Sequence, residues 1–477
     1  MHKASNFLLA ITLTTLSVLA AHAQSGSTAP ASASVPAPVT YTLEEFFKPP
    51  QLSGPTISRD GKYMAATMPY KGRMNLATIN LETRSAAMLS GYDDFDVLNV
   101  RWVGNDRLLY TLGQANSPTG PGSFDGGGLF SISRDGKDLR VLAKTVRETR
   151  GQNQYVYRTM EFFRSIPGND EEIIASGNMT AANTTDLYRL NVKTGRYTIM
   201  TQGRPEEFTS DWILDSKLVP RVVTGNIRDK LTAIVYYRKD ENSPWSEIAR
   251  FERNIGPTFV PLTFEADDQT LQVAYNGGRD TMAVYRYDPN AKKMGELLAQ
   301  HPRYDVGAAA DGSGVPGVVT STETEKIIGF SVNAAKPEIV WLDDKYAAIQ
   351  KSLDRTLPDR INRFRRAPDG KRLVVTSYSD TLPTRWYLHD EEKRTIEQIG
   401  SSRPWLDGKL VEQRIFSYTT RDGLEISGYY FLPKDYKPAP SCLPSSMCTA
   451  ARTYGRIHGA AALACARGNC SPRADMP

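Results

Sequence analysis

A short phrase of strand, polar turn and strand recurs along most of the chain, and it limits the possible fold more than any other feature. In the first copy, ISRDGKYMAA, the turn is Asp60-Gly61, and the later copies carry Asn-Asp, Asp-Asp or Asp-Gly at the same place. Such dipeptides between β-branched or aromatic runs are typical of β-hairpins. The five copies occupy residues 57–66, 101–111, 163–176, 264–275 and 365–377.

A second phrase follows each copy at a similar distance and consists of a strand, a charged turn and another short strand. Its copies lie at residues 75–83, 128–137, 186–196, 283–293 and 384–394. Each pair of phrases predicts one four-stranded unit. Two further units, at 212–250 and 306–342, fill the gaps between the pairs.

Seven units of this kind predict an all-β fold, a seven-bladed β-propeller. A four-stranded blade cannot bury both of its faces alone, so the blades close into a ring. A pair of β-sandwiches or a β-helix is the alternative, but a sandwich has no reason to repeat a turn phrase at blade length, and a β-helix repeats at a shorter period. Helical periodicity is nearly absent. Only Thr42 and Glu45 predict a short capped helix, which Pro49 would stop.

The composition is that of an ordinary globular chain. Of its 477 residues, 40% are apolar and 23% are charged, so the chain can bury a large core. The formal net charge is +5, but Lys3 and the arginines of residues 439–477 carry most of it. The body between them is close to neutral and lacks the clustered basic face that nucleic acid requires. We therefore expect no nucleic-acid partner.

The N-terminus predicts an export signal. Lys3 precedes an apolar run at 7–20, and Ala-His-Ala at 21–23 forms a cleavage site before Gln24. The run is shorter than the about 20 residues that span a bilayer, so we expect removal of residues 1–23 and no remaining membrane span, an uncleaved anchor being the alternative. Residues 24–40 are small and proline-rich, which predicts a flexible linker. The mature protein would be periplasmic or secreted.

The cysteines are confined to the end of the chain, at Cys442, Cys448, Cys465 and Cys470. In an exported protein they could pair in three ways. Their spacing lacks the two-residue separation that places two thiolates on one tetrahedral zinc ion. We therefore expect no metal site.

No catalytic, cofactor-binding or metal-binding residue can be assigned from the sequence. His301 and His389 are the only histidines between the N-terminal signal and the tail, and neither has a serine or cysteine nucleophile motif beside it. We interpret each as a packed or exposed blade residue. Asn178 and Asn183 fit the glycosylation pattern, which is common by chance. The chain has no glycine-rich phosphate loop and no HExxH motif, so no cofactor is expected.

A free-standing propeller does not need the passage that follows the last predicted blade. This passage is residues 401–436, SSRPWLDGKLVEQRIFSYTTRDGLEISGYYFLPKDY. Two alternating strands, RIFSYTT and EISGYYFLP, meet at the turn of residues 421–423. The passage resembles the start of the peptidase domain of the prolyl oligopeptidase family, in particular of its secreted bacterial acylaminoacyl-peptidase-like or dipeptidyl-peptidase-like members. The phrase TLEEFFKPPQLSGPTISRDGKYMAA at 42–66 resembles their first blade. The resemblance covers about residues 41–438.

This resemblance implies a propeller over 41–400 and the start of an α/β-hydrolase domain over 401–438. Such a domain hydrolyses peptides with a serine, an aspartate and a histidine in that chain order, the serine standing on a GxSxG elbow. All three would follow the two strands, on a parallel sheet that needs crossover helices. Only residues 439–477 follow Pro438. We therefore expect no catalytic residue in this chain.

Residues 439–477 do not continue the hydrolase pattern. They lack strand periodicity and are rich in Ala, Arg, Gly, Pro, Ser and Cys, the residues of GC-rich codons. Since no cysteine precedes Cys442, we interpret the segment as an aberrant, frame-shifted tail, with a small disulfide-bonded module as the alternative. His458 lies in a faint echo of the family's oxyanion turn and is assigned no role.

Two functions remain open at this point. The first is an exported serine peptidase of the prolyl oligopeptidase family, represented here by its propeller and inactive as this chain, with peptides as the ligands of the complete enzyme. The alternative is a periplasmic TolB-like propeller that acts as a protein-binding module, since TolB-like blades carry a similar Ser-x-Asp-Gly-Lys phrase. Residues 402–436 distinguish the two, because only the peptidase requires them.

Overall fold

The computed structural model describes residues 42–436 except 116–124, 153–155, 228–229, 254, 309–316, 323, 325, 333, 335, 368–369 and 435. The predictions for the signal peptide, the linker, the four cysteines, His458 and the tail lie outside these residues. Within them, no helix combines the length and apolar character that a membrane crossing requires.

Seven antiparallel sheets follow one another along the chain, and each is built from one continuous segment. Blades 1 to 4 consist of β1 (Ser53–Ile57), β2 (Tyr63–Tyr70), β3 (Arg73–Asn80), β4 (Ala86–Met88), β5 (Asp96–Val103), β6 (Arg107–Gly113), β7 (Gly127–Ser133), β8 (Leu139–Thr145), β9 (Met160–Ser165), β10 (Glu172–Gly177), β11 (Asp186–Asn191), β12 (Tyr197–Ile199), β13 (Thr209–Leu214), β14 (Pro220–Asn226), β15 (Thr232–Tyr237) and β16 (Ser246–Glu252).

Blades 5 to 7 are followed by a separate hairpin. They consist of β17 (Phe259–Phe264), β18 (Leu271–Tyr275), β19 (Ala283–Asp288), β20 (Lys293–Ala299), β21 (Val318–Thr320), β22 (Ile327–Val332), β23 (Glu338–Trp341), β24 (Ile361–Arg366), β25 (Arg372–Tyr378), β26 (Arg385–Asp390) and β27 (Thr395–Ser401). The hairpin is β28 (Gln413–Thr419) and β29 (Glu425–Phe431). The helices are α1 (Leu43–Phe47), α2 (Val146–Gly151) and α3 (Asp344–Thr356), with a 3-10 turn at Pro404–Leu406.

The first strand of each blade is the inner one. β1 contacts β5, and β13 contacts β17, whereas the fourth strand lies at the other end of the sheet in every blade except blade 6, whose sheet has three strands in the described residues. This arrangement confirms the predicted seven-bladed β-propeller. The units predicted at 212–250 and 306–342 are blades 4 and 6. The boundaries at 41–400 and 401–438 stay predictions.

One turn sequence, shared by a copy of the first phrase and a copy of the second, owes its shape to local hydrogen bonds. Ser-Arg-Asp-Gly-Lys occurs at 58–62 between β1 and β2, and again at 133–137 between β7 and β8. In both copies the serine Oγ donates to the aspartate Oδ1 at 2.6 Å. The lysine N–H donates to the same oxygen, at 3.0 and 3.2 Å. The glycines adopt φ of 67° and 76°, a left-handed conformation that suits glycine.

The core lies between neighbouring blades rather than within one. Val235 of blade 4 packs in one cluster with Phe259 and Val273 of blade 5, and Leu109 of blade 2 packs with Tyr188 of blade 3. These side chains are almost completely buried. Burying one such side chain contributes about 1.5–3 kcal/mol, so each blade depends on its neighbours for stability.

Helix α3 was not predicted from the sequence, which shows almost no helical periodicity. Its 13 residues follow β23 and pack against β24, while the sheet of blade 6 shows three strands in the described residues. The Asp343 side chain caps the helix by accepting from the N–H groups of Lys345 and Tyr346. Only Tyr346 and Leu353 of this helix are buried, and so sparse an apolar stripe gives a weak periodic signal.

The ring closes where blade 7 meets blade 1. Leu52 and Met64 of the first blade pack with Trp386 of the last. The Gln51 N–H donates to the Ser402 carbonyl at 2.7 Å. Since no strand is exchanged between these two sheets, side-chain packing and a few hydrogen bonds hold the seam.

Candidate functional site

The chain leaves the ring through residues 402–409 and then forms the β28–β29 hairpin. The two strands pair in regular antiparallel register from Gln413 opposite Phe431 to Thr419 opposite Glu425. Gly423 in the turn has φ of 84°. Both strands predicted in this passage are therefore present. We call α1, residues 402–409 and this hairpin the hairpin end of the ring.

One face of the hairpin is aromatic and open to solvent. Phe416 stacks on Tyr418 with ring centroids 6.3 Å apart, and Tyr430 lies 6.1 Å from Phe416. Tyr418 is 53% exposed and Ile426, its cross-strand partner, is 40% exposed. Gly428 faces Phe416, and a Cβ there would lie 2.7 Å from the ring. This close approach explains the glycine, and Tyr418 and Ile426 make this face an exposed apolar patch.

Few polar contacts hold the hairpin on the ring. The Gln413 N–H donates to Asp380 Oδ2 at 2.6 Å. Arg303 Nη2 lies 3.4 Å from Glu425 Oε1, and both side chains are more than half exposed. Such exposed pairs contribute about 0.2–1 kcal/mol. The hairpin is thus oriented by the propeller but not buried against it.

Helix α1 is attached to the same end through Trp405. The indole Nε1 of Trp405 donates to the Glu45 carbonyl at 2.8 Å, and Lys48 Nζ lies 4.9 Å from the indole centroid. Lys409 bonds to the Glu45 carboxylate, and this hydrogen bond lowers the pKa of Glu45. The capping box predicted at Thr42 is present. Leu43 and Phe47 of α1 remain 70% and 65% exposed.

Arg403 lies in the segment that joins blade 7 to the hairpin, two residues before Trp405. Burial penalises its charged form and lowers its pKa. Its Nε has no hydrogen-bond partner within the described part of the chain. A desolvated guanidinium is costly, so Arg403 is a position where a further carboxylate or carbonyl would be stabilising.

The two histidines are used structurally. His301 Nδ1 accepts from the N–H groups of Arg303 and Tyr304, both at 3.1 Å, and its Nε2 lies 3.2 Å from Glu338 Oε1. His389 Nδ1 lies 2.9 Å from the Thr395 carbonyl. Neither ring has a hydrogen bond to a serine or cysteine side chain in the residues that the structure describes. They do not form a nucleophile–base pair there.

Asn178 is also engaged by the fold. Its Oδ1 accepts from the Thr159 N–H at 2.6 Å, and its Nδ2 donates to the carbonyls of Tyr157 and Ala182 at 3.0 Å. A side chain that joins two loops in this way is poorly placed for modification. Over the described ranges there is also no cluster of three or more metal-ligating side chains.

The solved structures that this fold resembles are peptidases with longer chains. A structure from a study of two prolyl endopeptidases matches with a TM-score of 0.53 and 10% identity, covering 83% of this chain and 56% of its own. Prolyl oligopeptidase B from Galerina marginata matches at 0.51 and 10%, covering 83% and 56%. A mutant of puromycin hydrolase matches at 0.51 and 12%, covering 84% and 61%. At these identities the likeness shows the propeller fold.

A curated relative extends the likeness to the sequence. Dipeptidyl aminopeptidase BIII of Pseudoxanthomonas mexicana is 23% identical over 397 residues, which cover 82% of this chain and 53% of the relative. In sequence and in fold the chain is therefore similar to peptidases of the prolyl oligopeptidase type. It spans about half the length of that curated relative. No protein-family model matches the chain.

Only part of the hairpin end could be found from the sequence. Sequence reasoning found the two strands and the SRPWLD passage, but it did not find that Trp405 reaches Glu45 or that α1 exposes Leu43 and Phe47. These contacts join segments more than three hundred residues apart, so no local pattern could have indicated them.

Proposed function

We propose that this chain is the propeller and the first peptidase-domain hairpin of an exported serine peptidase, and that the 477-residue chain does not itself hydrolyse peptides. The observation that carries the proposal is the hairpin after blade 7, whose aromatic face is exposed. A free-standing binding propeller has no use for such a hairpin. A family peptidase domain would use it as an edge on which to build its sheet.

The chemistry of peptide hydrolysis supports the same conclusion. A serine nucleophile needs a histidine base within about 3 Å and an acid that orients the histidine. In His301 the Nδ1 lone pair is occupied by two backbone N–H groups, so the ring can donate to Glu338 but offers no second base nitrogen. In His389 the Nδ1 is paired with a carbonyl of the neighbouring strand.

A hydrolysis assay tests the absence of activity. We expect the purified chain to release no chromophore from dipeptidyl p-nitroanilides under conditions in which dipeptidyl aminopeptidase BIII does. Two variants, His301→Gln and His389→Gln, distinguish activity of the chain itself from activity of a contaminating peptidase. Activity that copurifies with the chain and is lost in either variant would contradict the proposal.

Export is tested separately. We expect the full chain, expressed in a bacterium, to appear in the periplasm or medium without residues 1–23 and with Gln24 as its first residue. A variant lacking residues 2–23 should stay inside the cell. A full chain that retains its N-terminus in the cytoplasm would rule out export.

A further inference from the structure

A cleft of about 660 Å³ opens between the outer parts of blades 4 and 5. Three aromatic rings line it: Phe259 lies 5.0 Å from Tyr287 and 6.3 Å from Tyr275, in edge-to-face arrangements. Phe259 and Tyr287 are buried, whereas Tyr275 is half-buried. The Tyr287 hydroxyl donates to the Ile248 carbonyl at 3.1 Å and so ties the two blades together at the cleft.

One wall of the cleft is the free edge of a strand. β16 is the last strand in the sheet of blade 4 and pairs with β15. Residues 248–252 of this strand line the cleft. On the other edge of β16, the only pairing within the described residues is the single bridge between Glu252 and Ile255. A strand edge of this kind can bind an extended peptide through main-chain hydrogen bonds.

The rim of the cleft carries an available positive charge. Lys292 lines it from the turn before β20, where its φ is 51°, and it has no hydrogen bond or ion pair in the part of the chain that the structure describes. Arg250, the other cation of the lining, is already paired with Glu247 at 2.7 Å. Glu252, the lining carboxylate, bonds to the Thr232 hydroxyl. Arg250, and also Lys292 through space, lowers the pKa of Glu247, but Lys292 forms no ion pair with that carboxylate in the described residues and is the lining cation that can meet a ligand carboxylate.

We propose that this cleft is a docking site for an extended peptide segment with an apolar and an acidic side chain two residues apart. The segment adds to the free edge of β16 by main-chain hydrogen bonds. Side chains two residues apart point to the same face of a strand, so the apolar one contacts the aromatic rings while the carboxylate meets Lys292. The site lies at the outer rim of the ring and is independent of any peptidase chemistry.

Fluorescence anisotropy with two labelled seven-residue peptides tests this docking. The peptides are Thr-Val-Phe-Thr-Asp-Val-Thr and its counterpart with lysine in place of aspartate. We expect the full chain to prefer the aspartate peptide by about three- to tenfold, the range for an exposed ion pair replaced by a repulsion. Lys292→Glu should invert the preference. Lys293→Glu, which changes the neighbouring residue outside the cleft, should leave it unchanged.

A third peptide tests the strand addition. N-methylation at alternate residues of the aspartate peptide removes main-chain donors while retaining the side chains, and we expect it to abolish binding. Thermal unfolding of each variant confirms that the fold is retained. Equal binding of the methylated peptide, or an unchanged preference in Lys292→Glu, would overturn the proposal.

Discussion

The indole N–H of Trp405 donates a 2.8 Å hydrogen bond to the backbone carbonyl of Glu45. This bond joins the segment that leaves the propeller to the helix that precedes blade 1, at the seam where no strand is exchanged. Lys409 and Lys48 add a bond to Glu45 and a cation–π contact to Trp405. The hairpin end therefore also closes the ring.

Replacing Trp405 with phenylalanine should loosen this end selectively. The variant keeps an aromatic ring but loses the donor, and a hydrogen bond of this kind contributes about 1 kcal/mol. We expect faster amide exchange in α1 and a slightly lower free energy of unfolding. The control is Trp245→Phe, which removes an equivalent 3.0 Å bond to the Gly203 carbonyl away from the seam. If the amide groups of α1 exchange at the same rate in both variants, the Trp405 hydrogen bond does not stabilise the attachment of α1.

The glycine of the repeated turn should be required for its backbone conformation. Gly136 has φ of 76°, and a Cβ there would meet only ordinary contacts, the nearest at 3.5 Å from Leu89. Gly136→Ala should therefore cost about 1 kcal/mol through the left-handed backbone alone. Gly136→Asn should cost less, because asparagine tolerates this region. Gly151→Ala, at a position with open space and no positive φ, is the control for urea unfolding.

The same turn should make the free energy of unfolding depend on pH below about pH 4, where Asp135 becomes protonated. The Ser133 hydroxyl bond, followed by bonds from Lys137, lowers the pKa of Asp135 from 3.8 to about 2. A lowered folded-state pKa stabilises the fold above pH 3.8, and that gain is lost as the pH falls from 3.8 towards 2. Asp135 is half exposed, so the gain is small and decreases with salt.

NMR titration of the Asp135 carboxyl group measures this directly. We expect a midpoint near 2 in the wild type and a higher one in Ser133→Ala, which lacks the hydroxyl donor. The stability difference between the wild type and Asp135→Asn should vanish over the same pH range. A midpoint that does not move in Ser133→Ala would contradict the role of the serine.

The aromatic face of the hairpin should promote association. Tyr418 and Ile426 form an exposed cross-strand pair, and open apolar faces of this kind bind each other. We expect Tyr418→Lys to lower the associated fraction in sedimentation velocity. Thr419→Lys adds the same charge on the opposite face of the same strand and should change little. A monomeric wild type at high concentration would contradict this expectation.

Much of the ring could be predicted because its turns are encoded locally. Ser58 and Asp60 form the same side-chain hydrogen bond as Ser133 and Asp135, so the Ser-Arg-Asp-Gly-Lys sequence encodes a tight turn between two strands wherever it occurs in the ring. Helix α3 was missed because its apolar stripe is sparse and its Asp343 cap resembles a turn residue. The cleft could not be predicted, since Ala249 and Tyr275 come from different blades and meet only in the closed ring.

The central proposal is that the chain carries the propeller and first hairpin of a peptidase similar to the prolyl oligopeptidases, and that the chain itself has no reactive catalytic serine. Incubation with a fluorophosphonate probe, followed by intact-mass measurement of the purified chain, tests it most directly. We predict an unchanged mass under conditions that fully label an active serine peptidase used as the positive control. Stoichiometric addition of one probe at a single serine would contradict the claim.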